Sequence, residues 1–208
     1  MTNLDEALDH LPLVAILRGL QPARAIETGE VLVDAGFRVI EVPLNSPEPL
    51  SSIERLATAL GDRAIIGAGT VLRSADIGAV ASAGGRLIVM PHADTSLIRQ
   101  VDHLGLFSIP GVATPTEAFA ALEAGADALK MFPAEAMPPA VVKAWRAVIR
   151  PDVKLLPVGG ITPESMAAYL EAGASGFGLG SALFKPDLSL PTLAVNATAF
   201  IEAIRMRP

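Results

Sequence analysis

The sequence predicts an α/β fold of the (β/α)8 TIM-barrel type, a ring of parallel strands each followed by a helix, with one extra N-terminal helix. Two observations carry this expectation. Amphipathic, alanine-rich segments that end in glycine recur along the chain and run at once into short apolar segments. Examples are Asp34-Ala35-Gly36 before Phe37 to Val42 and Ala83-Gly84-Gly85 before Arg86 to Met90. The junction returns at Gly105, Gly125 and Gly173, and Gly61 serves the segment between Pro47 and Leu60. The second observation is that eight such apolar runs occur, each followed by a helix signal, at a spacing of about 20 to 26 residues that fits a barrel better than an open doubly wound sheet. The open sheet stays the alternative.

Taken in order, Leu4 to Leu11 reads as the extra helix covering the bottom of the barrel. The strand-like runs follow at Leu13 to Leu17, Arg38 to Val42, Ala64 to Ala68, Arg86 to Met90, Leu106 to Ile109, Ala126 to Phe132, Val153 to Val158 and Ser175 to Leu179. Strands buried on both faces read as continuous apolar runs, as these do. Proline opens several of the intervening helices, at Pro22, Pro47, Pro115, Pro138 or Pro139 and Pro163, with Thr114 and Thr162 placed as N-caps. No linker composition interrupts the pattern, so residues 1–208 are expected to form a single domain.

Composition excludes several classes of function. Charged residues are 18% and apolar types 51% of the 208 residues, yet no run approaches the roughly 18 apolar residues of a membrane span. Met1 to His10 carries Asp5, Glu6 and Asp9 rather than a basic start and an apolar run, so it does not read as a signal peptide and a cytoplasmic location is expected. With no cysteine, disulfides, thiolate nucleophiles and cysteine zinc sites drop out. A net charge of −6 and 4% aromatics disfavour nucleic acid as a partner.

In a barrel, function sits at the carboxyl ends of the strands and in the loops after them. Of four lysines, Lys143 lies in a helix, Lys154 starts a strand and Lys185 follows the eighth unit, all ordinary solvated positions. Lys130 differs, because it lies near the end of the sixth strand among apolar neighbours, where desolvation lowers an amine's pKa and makes it nucleophilic. A buried lysine paired with a carboxylate is the structural alternative. Glu41 is the matching anomaly on the second strand, placed for proton transfer or for a plain ion pair with Lys130 or Arg18. Arg18 ends the first strand at the parity of Val14 and Ile16, where it reads equally as an anion ligand or an ion-pair partner.

Gly67-Ala68-Gly69-Thr70 lets backbone approach a ligand at the end of the third strand. Val158-Gly159-Gly160-Ile161-Thr162 and Gly178-Leu179-Gly180-Ser181 follow strands seven and eight, where such barrels bind phosphate through backbone N–H groups. His92 follows the fourth strand, but His10 and His103 fall in helical segments, so no metal site is expected; Asp94 reads as a helix cap.

Together these motifs resemble the class I 2-keto-3-deoxy-6-phosphogluconate and -galactonate aldolases, pyruvate-yielding Schiff-base enzymes. The carriers are Val14-Ala15-Ile16-Leu17-Arg18-Gly19, Ile40-Glu41-Val42-Pro43-Leu44-Asn45-Ser46-Pro47, Ile66-Gly67-Ala68-Gly69-Thr70-Val71, Leu129-Lys130-Met131-Phe132-Pro133 and Pro157-Val158-Gly159-Gly160-Ile161. The resemblance implies Lys130 as the Schiff-base lysine, Glu41 as general acid/base and Arg18 and Thr70 as substrate ligands. It implies Pro91, Phe132 and Val158 as pocket walls, and Gly159, Gly160, Gly180 and Ser181 as the phosphate turns. It also implies a phosphorylated keto-deoxy sugar acid as substrate, a homotrimer, and no metal or cofactor. Gluconate-type relatives often carry Thr-Leu-Arg after the glutamate's valine and Thr-Gly-Gly on strand seven. This chain has Pro43-Leu44-Asn45 and Val158-Gly159-Gly160, which resembles the galactonate subtype. Two rivals remain at this point: a metal- or acid/base-dependent phosphosugar isomerase or epimerase, and a non-catalytic sensor of a phosphorylated sugar acid.

Overall fold

The computed structural model describes residues 3–205; residues 1, 2 and 206–208, where the expected domain and the leader reading begin or end, lie outside the described residues. The extra helix, α1 (Leu4–His10), starts with a capping box between Asn3 and Glu6 and buries Leu4, Ala7 and Leu8 at helical spacing. Strand β1 (Leu13–Ile16) follows, then α2 (Ala25–Ala35), β2 (Val39–Pro43), α3 (Pro49–Leu60), β3 (Ile65–Gly69), α4 (Ser74–Ser82), β4 (Leu87–Val89) and α5 (Thr95–His103). Next come β5 (Phe107–Ile109), β6 (Gly111–Val112), α6 (Pro115–Glu123), β7 (Ala128–Met131), α7 (Pro139–Arg146), β8 (Lys154–Pro157), α8 (Pro163–Glu171), β9 (Phe177–Leu179) and α9 (Leu190–Arg205).

All strand pairs are parallel, in a six-stranded sheet ordered β5-β4-β3-β2-β1-β9 and a three-stranded sheet ordered β6-β7-β8. A parallel bridge between Val158 and Gly178 and the bond from Ser175 N–H to the Leu155 carbonyl join β8 to β9. Asp127 N–H donates to the Ser108 carbonyl at 3.2 Å and Lys130 N–H to the Pro110 carbonyl at 2.9 Å on the other side. Eight apolar runs become nine strands because Pro110, between β5 and β6, has no N–H to give the ladder.

The alternation of the strands divides the interior in two. Val14, Val39, Ile65, Leu87, Val89, Ile109, Ala128 and Leu156 form one cluster with Leu4, Ala7 and Leu8 of α1, which thus covers one end of it. Leu13, Ala15, Ile40, Ile66, Ile88, Leu129 and Leu155 face the helices in a second cluster. Glu41 shares the parity of Val39, and Lys130 that of Ala128, so both charges follow the inner face toward the carboxyl ends.

Helix boundaries follow the local chemistry. Thr114 and Glu117 form a capping box, as do Thr162 and Ser165, and Asp94 accepts from the N–H groups of Ser96 and Leu97. The first proline-opened turn, Pro22 to Arg24, is a 3-10 helix, and α3 starts at Pro49 rather than Pro47. Glycines 36, 84, 105, 125 and 173 take positive φ after their helices, whereas Gly61 has φ −60 and is needed for space, since a Cβ there would stand 2.5 Å from the Ala57 carbonyl oxygen.

Candidate active site

The carboxyl ends of the strands open into a cavity of about 570 Å3. Ten of the residues singled out in the sequence line it: Arg18, Thr70, Pro91, Lys130, Phe132, Val158, Gly159, Gly160, Gly180 and Ser181. Glu41 lies beneath, against a small void that Lys130, Ile16 and Val158 share.

Glu41 is 1% exposed and its Oε2 has no hydrogen-bond partner. Burial pushes its pKa up to about 7, with Lys130 and then Arg18 pulling the other way. Space for that carboxylate exists only because residue 69 is glycine, since a Cβ there would stand 1.9 Å from Glu41 Oε2. Lys130 is 7% exposed, with its nitrogen 4.5 Å from the centroid of the Phe132 ring. Burial holds its pKa below the ordinary lysine value; Glu41 opposes that and Arg18 adds to it. Among the described residues no carboxylate stands within ion-pair distance of the Lys130 nitrogen, although the Glu41 charge still acts on it. The arrangement is a depressed-pKa amine next to a carboxylate that titrates near neutrality, which suits nucleophilic attack on a carbonyl coupled to proton transfer.

Across the cavity, Gly159 and Gly160 have φ +118 and +61 and expose backbone between β8 and α8. Their Cα faces lie under the Glu135 side chain, and a Cβ on Gly159 would approach Glu135 Oε2 to 2.2 Å. Thr70 also takes the left-handed conformation, φ +57, an unusual strain for a β-branched residue beside the cavity. Among the described residues no group of three or more His, Cys, Asp and Glu side chains is placed to hold a metal ion, and His92 is not among the residues lining the cavity.

Glu135 and Lys185 also line the cavity without standing out as site residues in the sequence, and Thr162, the last residue of the first glycine motif, lines it as well. Lys185 is exposed, as its solvated reading implies, yet it reaches the cavity because the Leu183 and Phe184 N–H groups both donate to the Gly180 carbonyl, a turn that folds the chain back after Ser181. Its position four residues after Ser181 was the available signal. Glu135 sits in the short 3-10 turn Ala134–Ala136 just beyond β7. A carboxylate so close to the carboxyl end of a strand is the available signal for it.

A sequence model described as KDPG and KHG aldolase matches residues 4–193. The chain is 47% identical over 195 residues to the 2-dehydro-3-deoxy-6-phosphogalactonate aldolase of Escherichia coli strain K12, covering 94% of this chain and 95% of that one. It is 44% identical to a probable 2-dehydro-3-deoxy-6-phosphogalactonate aldolase of Rhizobium meliloti, covering 92% and 91%. Among solved structures it resembles one described as native KDPGal, with a TM-score of 0.92, 47% identity and coverage of 94% and 95%. It also resembles the KDPG aldolase of Legionella pneumophila with pyruvate captured as a covalent carbinolamine intermediate, with a TM-score of 0.81, 28% identity and coverage of 97% and 96%.

Proposed function

Because the chain belongs to the KDPG and KHG aldolase family, whose members are carbon–carbon lyases, we propose that it cleaves 2-dehydro-3-deoxy-6-phosphogalactonate to pyruvate and D-glyceraldehyde 3-phosphate through a Schiff base on Lys130. The observation that carries the reading is the pairing of a buried, depressed-pKa Lys130 with a buried Glu41 whose pKa is about 7, at one cavity with the glycine turns.

The neutral Lys130 amine attacks the C2 ketone, Glu41 gives its proton to the departing hydroxyl, and loss of water leaves an iminium beside the Glu41 carboxylate. When C3–C4 breaks, its electron pair moves into the iminium to form an enamine, and Glu41 takes the C4 hydroxyl proton as the aldehyde departs. Glu41 then returns a proton to C3, and water hydrolyses the imine to release pyruvate and the free amine. Arg18 and Thr70 bind the keto acid end, and Pro91, Phe132 and Val158 wall the pyruvyl group. Backbone donors of Gly159, Gly160, Gly180 and Ser181 take the phosphate, so local dipoles outweigh the chain's net charge of −6. Binding energy far from C4 thereby orients the bond that breaks.

The two sheets are taken as one closed (β/α)8 barrel in a single domain, supported by the hydrogen bonds across both seams. A homotrimer is part of the same reading and rests on the family resemblance. A cytoplasmic location agrees with a phosphorylated metabolite as substrate. The galactonate epimer is favoured over the gluconate one because the relatives sharing 47% and 44% identity carry that substrate in their names. The test is the rate of pyruvate release from the two C4 epimers. A higher kcat/KM on the galactonate compound is expected; preference for the gluconate epimer reassigns the substrate, and cleavage of neither rejects the activity.

A further inference from the structure

The loops after β1 and β2 are tied together by two neighbouring hydrogen bonds. Arg18 Nη1 donates to Asn45 Oδ1 at 2.5 Å, and Gly19 N–H donates to the buried Ser46 Oγ at 2.9 Å. Both sides of this clamp are themselves anchored. Leu44 N–H donates to the Gly69 carbonyl at 2.8 Å and Ser46 N–H to the Pro43 carbonyl at 2.9 Å, so Asn45 lies inside a closed turn fastened to β3. On the other side Leu17 N–H donates to the Glu41 carbonyl at 2.9 Å, and Gly19, at φ +83, lies so close to Pro186 that a Cβ would meet its Cγ at 2.6 Å. Arg18 therefore has an anchored backbone, and its exposed guanidinium has the side chain of the exposed Asn45 as a hydrogen-bond partner.

The chemistry of the partner matters. Asn45 Oδ1 is a neutral acceptor that uses one of the guanidinium's five N–H donors and leaves its charge uncompensated, whereas a carboxylate there would cancel it. The charge acts on Glu41 and Lys130 together, which assigns Arg18 to the end of the cavity that holds the amine. An arginine ordered before its ligand arrives loses less freedom on binding.

We propose that Asn45 is a positioning residue that holds Arg18 as the receptor for the carboxylate next to the reacting ketone, so that C2 is presented to Lys130. This rests on the aldolase reading and specifies how its keto acid end is gripped.

Pyruvate is the suitable probe, because it carries the carboxylate and ketone without the phosphate or C4. Borohydride trapping of the adduct on Lys130 over a pyruvate titration gives a half-saturation for wild type, Asn45→Ala, Arg18→Ala and the double variant, with a thermal melt of each. Asn45→Ala is expected to raise the half-saturation about fivefold and Arg18→Ala about tenfold or more, the scale of a charge-assisted hydrogen bond. The double variant is expected to match Arg18→Ala alone, since Asn45 acts only through Arg18. Asn45→Asp, which keeps the acceptor but cancels the charge, is expected to weaken pyruvate at least as much as Asn45→Ala. An unchanged half-saturation in Asn45→Ala, or single-variant effects that multiply in the double variant, overturns the proposal. Wild-type binding by Asn45→Asp overturns the requirement for a neutral partner. No adduct in the wild type rejects the aldolase reading itself, an outcome distinct from failure of the clamp.

Discussion

Replacing Glu41 by Gln removes a buried ionisable group while keeping its shape, and the consequence for stability is set by pH. A pKa of about 7 in the fold against an ordinary 4.5 makes ionising this side chain about 3 kcal/mol harder in the folded chain than in the unfolded one. Between those two values the folded chain keeps a proton that the unfolded chain releases. Stability contributed by the protonated form is therefore lost as pH rises through that interval and stays lost above about 7. Urea unfolding at about pH 5 and about pH 8.5 spans most of it, about 2.5 kcal/mol. The variant lacks this loss, so its stability relative to wild type should rise by that amount over the same range. Any cost of an unsatisfied Gln amide is the same at both pH values and cancels from the comparison. Lys130, whose pKa is held low by burial and falls further without Glu41, pushes the difference in the same direction. Turnover should fall by about 10^2 to 10^4, the usual scale of a lost general acid/base. Parallel stability-versus-pH curves for the two proteins would refute the claim that this carboxyl is desolvated, and near wild-type turnover would reassign the base.

Other substitutions probe the frame around that pair. Gly69→Ala places a methyl 1.9 Å from Glu41 Oε2, so it should cost about 1–3 kcal/mol in thermal or urea unfolding and depress kcat with it; a neutral effect on both would mean the carboxylate can sit elsewhere. Gly159→Ala combines a φ of +118 with a clash against Glu135, and should raise KM for the phosphorylated substrate while leaving pyruvate trapping on Lys130 nearly unchanged. Leu8→Ala, at a residue 2% exposed in the inner cluster, should cost about 2–5 kcal/mol; a loss under about 1 kcal/mol would show that α1 is not a cover for the strands.

What was legible in the sequence is what breaks a local rule. Glu41 and Lys130 stand out because each puts a charge into an apolar strand, and the paired glycines stand out because nothing about a simple turn requires two so close to a strand end. Threonine and aspartate caps were readable for the same reason, since capping is a contact within four residues. The departures arise where distance along the chain hides a contact. Arg18 and Asn45 are 27 positions apart, and only the turn that folds Lys185 back after Ser181 brings that side chain to the cavity. Gly61 followed the pattern of a helix-ending glycine, yet its backbone is right-handed, and crowding by the Ala57 carbonyl explains the residue. Pro110 was visible, but its effect depends on the neighbouring strand whose ladder it interrupts.

The central claim is a covalent one, and trapping tests it most directly. Borohydride added to the enzyme with saturating pyruvate should fix one reduced pyruvyl group per chain, located at Lys130 by mass analysis of peptides and absent from Lys130→Met. An unmodified Lys130 under conditions where the enzyme turns over, or a pyruvyl group on Lys143, Lys154 or Lys185 instead, would contradict it.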